Sequence, residues 1–241
     1  MYMEKQQIID TFIQKVKGVQ LCMEGNVHHC GKRGHWFETK MGLTHNSKNE
    51  PDMYGYEMKT GETVTTFVDK APDRMMIGGM EIPKRDKLSK TLFWDKYASK
   101  KESEHKTIGG WSVDKFNKSG QRLVVDDNSL HILYDFQHDM REDKETLELN
   151  KTPHKIMEWF FCTLQKTIEN KFNQKGFFKC KRVGNTYEKI CFGGPITFDR
   201  WIDEVKRGVI YHDGYSKLNG RGRHVFRASN AFWDGLITEE Y

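Results

Sequence analysis

Apolar side chains recur along this chain with two different spacings. In three segments they lie three or four positions apart, which predicts amphipathic helices with one buried face. The segments are residues 8–16, which Gly18 can end, residues 152–172, with Thr152 as cap and Pro153 at the first helical position, and residues 197–205, capped by Thr197.

Shorter segments rich in β-branched and aromatic residues predict strands. Two hairpins are expected to turn at Asp126-Asp127-Asn128 and at Gly184-Asn185. Further strands are expected at residues 54–58 and 63–68, joined around Gly61, and at residues 209–211 and 225–227, whereas residues 71–122 are interpreted as rich in loops. Because helices and strands alternate, we expect an α/β or α+β fold with a mixed β-sheet flanked by helices.

Composition narrows the class of protein only slightly. The length of 241 residues suits one domain, and 39 Lys and Arg against 34 Asp and Glu leave a net charge of +5. That excess permits an anionic partner without requiring one. No run of 18 apolar residues and no secretory signal pattern occurs, so we expect a cytoplasmic protein without a membrane partner.

The cysteines favour neither a disulfide framework nor a zinc ribbon. There are five of them, and none lies two residues from another. A cluster of two cysteines and two histidines, Cys22, His28, His29 and Cys30, leaves a zinc site as a weak alternative to a polar loop.

The stretch from Glu50 to Thr60 indicates chemistry most clearly. Alternate side chains of a strand share a face, so Glu57 and Lys59 should point the same way and Met58 into the core. A turn before the strand can bring the Asp52 carboxylate beside Glu57. Two carboxylates in one site favour Mg²⁺, and a lysine there can contact the scissile phosphate or orient the attacking water. The pattern predicts a metal-dependent nuclease, although an acid and a lysine two apart also occur on solvated sheet faces.

A second candidate site is the basic segment from Tyr211 to Arg227, which is rich in glycine. It carries six basic or histidine side chains and a single acid, Asp213. Arginine can pair with guanine in the major groove, so the segment can read bases, or it can contact phosphates alone. Arg227 can also be a buried structural arginine. The candidate DNA-contacting residues in the segment are His212, Tyr215, Lys217, Arg221, Arg223, His224 and Arg227.

Pro51-Asp52 followed by Glu57-Met58-Lys59 resembles the active-site motif of the PD-(D/E)xK nucleases. With Gly34-His35-Trp36-Phe37-Glu38 upstream, the resemblance narrows to the MvaI/BcnI restriction endonucleases, relatives of the mismatch-repair nicking enzyme MutH. Residues 67–72 and 208–229 resemble the family's next strand and its base-reading segment. The resemblance implies a restriction-endonuclease-like fold with two lobes around a DNA cleft. It implies a single nuclease domain, 1–241, with a catalytic part at about 1–150 and a recognition part at about 151–241.

The resemblance also implies individual roles. Asp52 and Glu57 would bind Mg²⁺, for which Mn²⁺ or Ca²⁺ can substitute in binding. Lys59 would be the catalytic lysine, Glu38 a further catalytic acid, and Lys70 a contact to the DNA backbone. The expected activity is that of a monomeric type II restriction endonuclease, which cuts double-stranded DNA one strand at a time at a short C/G-rich site of the CC-x-GG kind. A cognate DNA methyltransferase is expected in the prokaryotic or viral host cell. A MutH-like nickase and a non-catalytic DNA-binding protein of the same fold remain open as alternatives.

Overall fold

The computed structural model describes residues 2–21, 32–43, 49–60, 64–83, 85–100, 105–217 and 222–241. They form two compact units, each assembled from separated segments. The first comprises Met1–Thr65, Thr167–Thr197 and Ser229–Tyr241, and the second comprises Thr66–Lys166 and Phe198–Ala228. Each unit combines residues from both halves of the chain.

Helices and strands alternate through the described ranges. The helices are α1 (Tyr2–Lys15), α2 (Lys32–Lys40), α3 (Lys87–Tyr97), α4 (Phe161–Phe172), α5 (Phe198–Lys206) and α6 (Asn230–Gly235), with a 3₁₀ turn at Lys144–Leu147. The strands are β1 (Glu57–Lys59), β2 (Val64–Asp69), β3 (Arg74–Ile77), β4 (Met80–Glu81), β5 (Ser99–Lys100), β6 (His105–Trp111), β7 (Ser119–Val125), β8 (Ser129–Asp139), β9 (His154–Phe160), β10 (Phe177–Val183), β11 (Thr186–Gly193), β12 (Tyr211–Lys217), β13 (Arg223–Ser229) and β14 (Ile237–Glu240). No helix in these ranges is long and apolar enough to cross a membrane.

The first unit is built on a sheet with the strand order β1-β10-β11-β14. The short strand β1 runs parallel to β10, and the other pairs are antiparallel. Side chains of α1 and α2 pack into a common core with this sheet, and the core includes Ile8, Phe12, Phe37 and Phe178. The helix predicted over residues 8–16 is therefore confirmed, although Ile13 is 52% exposed.

The other two described sheets lie almost entirely in the second unit and have five strands each. Their orders are β2-β13-β12-β6-β5 and β4-β3-β9-β8-β7. Trp159 of β9 contacts Phe226 of β13 edge to face, with 5.4 Å between the ring centroids, and Trp201 of α5 contacts the same phenylalanine at 5.2 Å. The strands β12 and β13, which carry the basic segment, are thus packed on an aromatic core.

Turn chemistry predicted the hairpins correctly, since Val125 pairs with Leu130 and Val183 with Thr186. The interpretation of residues 71–122 as rich in loops was wrong. That range holds α3 and several strands, and α3 is capped by Asp86, whose Oδ1 accepts the Leu88 backbone N–H at 2.9 Å. The lysines of α3 obscured its buried face in the sequence, because they interrupt the apolar spacing.

The helix predicted over residues 152–172 was wrong in its first half. His154–Phe160 is a strand paired with β8 on one side and β3 on the other, and the helix begins at Phe161. Ile156 and Met157 are adjacent in sequence and both completely buried. A central strand covered on both faces gives a continuous apolar run, and such a run cannot be distinguished from a buried helix by spacing alone.

Candidate active site

A tight turn before β1 places Asp52 beside the strand. Tyr54 and Gly55 adopt positive φ angles of 49° and 84°, so residues predicted as strand form the turn instead, and the strand begins only at Glu57. The φ of Gly55 favours glycine, because side chains rarely tolerate this region. The turn brings the Asp52 carboxylate alongside β1, where its Oδ2 accepts the Met58 backbone N–H at 2.9 Å.

Glu57 and Lys59 share one face of β1, as strand alternation predicted. The Lys59 ammonium donates to Glu57 Oε1 at 2.9 Å, and the two side chains are only 8% and 4% exposed, respectively. Met58, between them, packs into the core with α1 and α2. The strand therefore divides its residues between a polar buried site and the apolar core.

Burial and mutual charge perturb this group of ionisable side chains. Desolvation raises the pKa of Asp52, and the neighbouring negative charge of Glu57 adds to the effect. Desolvation lowers the pKa of Lys59, although Glu57 opposes that shift. A carboxyl whose pKa is raised by burial and by a neighbouring carboxylate lies in a place where a cation would be favoured.

Two further lysines belong to this site, and sequence reasoning missed both. Lys171, in the last turn of α4, donates to Glu57 Oε1 at 3.1 Å. Lys179 lies next to Lys59 in the parallel register of β1 and β10, and its ammonium binds Asn230 Oδ1 at 2.5 Å and Asp234 Oδ1 at 2.8 Å. Neither has a local sequence signal, because each reaches the site through tertiary pairing of distant elements.

Aromatic rings close the apolar side of the site. The Lys59 ammonium lies 4.9 Å from the ring centroid of Phe172 and 5.8 Å from that of Trp233. Both rings belong to completely buried side chains. The negative faces of the rings attract the ammonium, but burial among them removes much of its water, and this desolvation accounts for the depressed pKa of Lys59.

Glu38 lies on α2, as expected, and its helix packs close to the end of β1. A Cβ built on Gly34 of that helix would come within 3.2 Å of Thr60 Oγ1. The Glu38 carboxylate is 30% exposed and lies 3.5 Å from His35 Nδ1. Across the ranges that the structure describes, no three or more His, Cys, Asp or Glu side chains are grouped closely enough to hold a metal ion. The structure therefore places Glu38 near the strand without joining it to Asp52 and Glu57.

The chemistry of Asp52 and Glu57 fits a divalent cation. Glu57 Oε2 is buried and has no hydrogen-bond partner among the described residues, while Oε1 accepts from two lysines. A buried carboxylate oxygen without a partner is costly, and a hard cation with oxygen and water ligands would satisfy it. The alternative zinc ligands, Cys22, His28, His29 and Cys30, lie outside the described residues.

The candidate DNA-contacting residues divide between the two faces of β12 and β13. His212 is completely buried and His224 is 5% exposed, and their rings stack with centroids 5.7 Å apart. Trp159 contacts both rings, at 5.0 Å and 6.1 Å. Burial lowers the pKa of His212 well below its usual value, and His224 adds to the shift. Neither ring is accessible to DNA here, so the prediction that these two histidines contact DNA is corrected to a packing role.

The opposite face of the same strands carries charged pairs. Arg223 is 61% exposed and its Nε lies 3.5 Å from Asp69 Oδ2. Arg227 is only 23% exposed and its Nε lies 2.8 Å from Asp213 Oδ2, which matches the alternative of a structural arginine. Tyr215 aligns with Arg223 and is half-buried. The side chain of Lys217 and the whole of Arg221 lie outside the described residues.

Lys70 follows β2 and is fixed by its backbone. Its N–H donates to the His224 carbonyl at 2.9 Å, and its own carbonyl accepts the Trp159 indole N–H at 2.8 Å. The structure thus places the backbone of Lys70 next to β13, the second strand of the basic segment.

Comparison with known proteins assigns the family. The family model of the LlaMI restriction endonuclease matches residues 16–241. The chain belongs to the LlaMI restriction endonuclease family. Consistent with this membership, it is 31% identical over 271 residues to the type II restriction enzyme ScrFI of Lactococcus lactis subsp. cremoris, covering 98% of this chain and 97% of that protein.

The solved structure of another protein has the same fold as this LlaMI family member. The complex of the restriction endonuclease MvaI with its cognate DNA substrate matches it with a TM-score of 0.64 at 16% identity, over 100% of this chain and 96% of that one. The mixed α+β, restriction-endonuclease-like fold and the MvaI/BcnI-type resemblance are confirmed. The LlaMI family member is accordingly a type II restriction enzyme, a site-specific deoxyribonuclease.

Proposed function

We propose that this restriction endonuclease hydrolyses double-stranded DNA in a Mg²⁺-dependent reaction, with Asp52 and Glu57 as the metal ligands. The observation that carries the proposal is Glu57 Oε2, which is buried without a hydrogen-bond partner in the described part of the chain. It belongs to a carboxylate that raises the pKa of its neighbour Asp52. A pair of oxygen donors with one buried oxygen to spare suits Mg²⁺, and Mn²⁺ or Ca²⁺ can take the same place in binding.

A bound Mg²⁺ would neutralise charge on the scissile phosphate and lower the pKa of a bound water. Lys59 supplies a positive charge at Nζ, fixed 2.9 Å from Glu57 Oε1 and shielded from solvent. In such a place an ammonium attracts a phosphate oxygen far more strongly than it would in water. In its neutral form, which the depressed pKa favours, Nζ would instead accept a proton from the attacking water. Water attacks phosphorus in line and gives up its proton, the P–O3′ bond breaks, and the leaving 3′-oxygen takes a proton from solvent to become a hydroxyl. Glu38, on the adjacent helix, is proposed as a further acid in this step.

The proposed substrate is a short C/G-rich site of the CC-x-GG kind. Two observations support DNA binding: the fold is that of MvaI, solved with its cognate DNA, and Arg223 of β13 presents a guanidinium that is 61% exposed. A guanidinium can pair with two guanine acceptors in the major groove. We propose that the enzyme acts as a monomer, cuts the strands one after the other, and works in the cytoplasm of a cell that carries a cognate methyltransferase.

Plasmid cleavage tests the proposal. Supercoiled plasmid with Mg²⁺ should pass through open circles to linear products with wild type, and remain supercoiled with Lys59→Ala or with EDTA. Lys118→Ala, which removes an exposed lysine, is the matched control and should cleave like wild type. Equal cleavage by Lys59→Ala and wild type would refute the assigned mechanism. Accumulation of open circles without linear product would identify a nickase instead.

A further inference from the structure

Lys171 is a second ammonium group on the proposed metal ligand Glu57. Its Nζ lies 3.1 Å from Glu57 Oε1, the same oxygen that accepts from Lys59 at 2.9 Å. The Lys171 side chain is 23% exposed, whereas that of Glu57 is 4% exposed. A partly accessible cation therefore reaches into the site from the last turn of α4 and meets a carboxylate that is almost entirely buried.

We propose that Lys171 is a positioning residue that holds Glu57 in the metal-free site and competes electrostatically with the divalent cation. This inference rests on the proposed function and adds a determinant of metal affinity to it. With Oε1 occupied by two ammonium groups, Oε2 is the oxygen of Glu57 that stays available. The lysine thereby fixes which oxygen faces the cation while opposing its binding through charge.

The local charge balance explains why such a group is useful. Asp52 and Glu57 lie close enough for Glu57 to raise the pKa of Asp52, and both feel the positive charge of Lys171. Without a metal, two neighbouring carboxylates repel each other, and the two lysines offset that repulsion. When a dication enters, three positive charges converge on one carboxylate. Lys171 is more exposed than Lys59, so it is the ammonium group that can move away.

Calcium binding to the DNA-free protein tests this role without relying on cleavage. Isothermal titration calorimetry with CaCl₂ would compare wild type, Lys171→Met, Lys171→Arg and Lys166→Met. Lys166 lies on the same helix, is exposed, and is rotated by about 140° from Lys171. It therefore controls for loss of a lysine charge from α4. Lys171→Gln provides the same comparison if the methionine variant melts early in a thermal unfolding scan.

We expect Lys171→Met to bind Ca²⁺ about tenfold more tightly than wild type, because a unit positive charge held on Glu57, a proposed ligand, opposes a dication even in a solvated site. Lys171→Arg should stay within about twofold of wild type, because it keeps the charge. Lys166→Met should match wild type. Unchanged or weaker Ca²⁺ binding by Lys171→Met, with measurable binding by wild type, would overturn the inference and leave the metal site standing. Absence of Ca²⁺ binding in every protein would overturn the metal site and the inference together.

Discussion

Replacing Asp139 by Asn should destabilise the second unit strongly. Asp139 is completely buried as a side chain and accepts from Arg141 Nη2 at 2.6 Å and from the Tyr134 hydroxyl at 2.9 Å. Arg141 in turn donates to the carbonyls of Lys96 and Ala98 at the end of α3. The substitution leaves a guanidinium that is 10% exposed without its counter-ion. Breaking a buried ion pair in this way costs about 3–5 kcal/mol of the free energy of unfolding.

The same pair gives the loss a defined pH dependence. Burial alone would raise the pKa of Asp139, but the hydrogen bonds and charge of Arg141 outweigh burial and lower it. A carboxyl with a lower pKa in the folded state stabilises the protein above the unfolded value of about 3.9, and this contribution is lost as pH falls through the folded value. Wild type should therefore lose stability below about pH 4, and Asp139→Asn should lose less over the same range.

Urea unfolding at pH 7 and at a series of acidic pH values measures both effects. Glu145→Ala is the matched control, because its ion pair with Lys151 spans 3.3 Å between side chains that are 63% and 71% exposed. Exposed pairs contribute less than about 1 kcal/mol, so the control should unfold almost like wild type. An Asp139→Asn variant within about 1 kcal/mol of wild type at pH 7 would refute the argument from burial.

Two further predictions separate DNA contact from packing on β12 and β13. Arg223→Ala should weaken binding to a duplex that carries the enzyme's cleavage site by about 1–3 kcal/mol, as measured by fluorescence anisotropy in Ca²⁺. Its free energy of unfolding should change by less than about 0.5 kcal/mol. Unchanged DNA affinity would show that Arg223 does not contact DNA. His212→Ala should lower the free energy of unfolding by about 2–5 kcal/mol, because it opens a cavity beside Trp159. The dependence of its DNA affinity on salt concentration should stay that of wild type. A weaker salt dependence in a stable variant would show that His212 contacts DNA.

Local chemistry determined which parts of the fold could be predicted. The hairpin at Gly184-Asn185 was predictable because its turn residues and alternating strands are adjacent in sequence. The strand His154–Phe160 was not, since its identity depends on being covered by β3 and β8, and the apolar run that results also fits a helix. Only the pairing of this segment with β3 and β8 in the structure distinguishes it from a helix.

In the candidate site, too, contacts between residues close in sequence were predictable, whereas contacts between distant residues were not. Asp52, Glu57 and Lys59 lie within eight positions, so strand alternation and one turn were enough to bring them together. Lys171 is 114 positions from Glu57 and reaches it only because α4 packs beside β1. Alternation also placed His212 and Arg223 on opposite faces of the hairpin, but which face is buried depends on Trp159, a residue of another sheet.

The most direct measurement of the central claim is the single-turnover rate of DNA cleavage by Lys59→Ala at saturating Mg²⁺ and enzyme. Under these conditions, differences in DNA or metal affinity drop out and the chemical step alone is compared. We expect the rate constant to fall by at least about 10²-fold, as for loss of a group that moves a proton in the transition state, while the variant still binds its duplex in Ca²⁺. A rate constant within a few-fold of wild type would contradict the assignment of Asp52, Glu57 and Lys59 as the nuclease site.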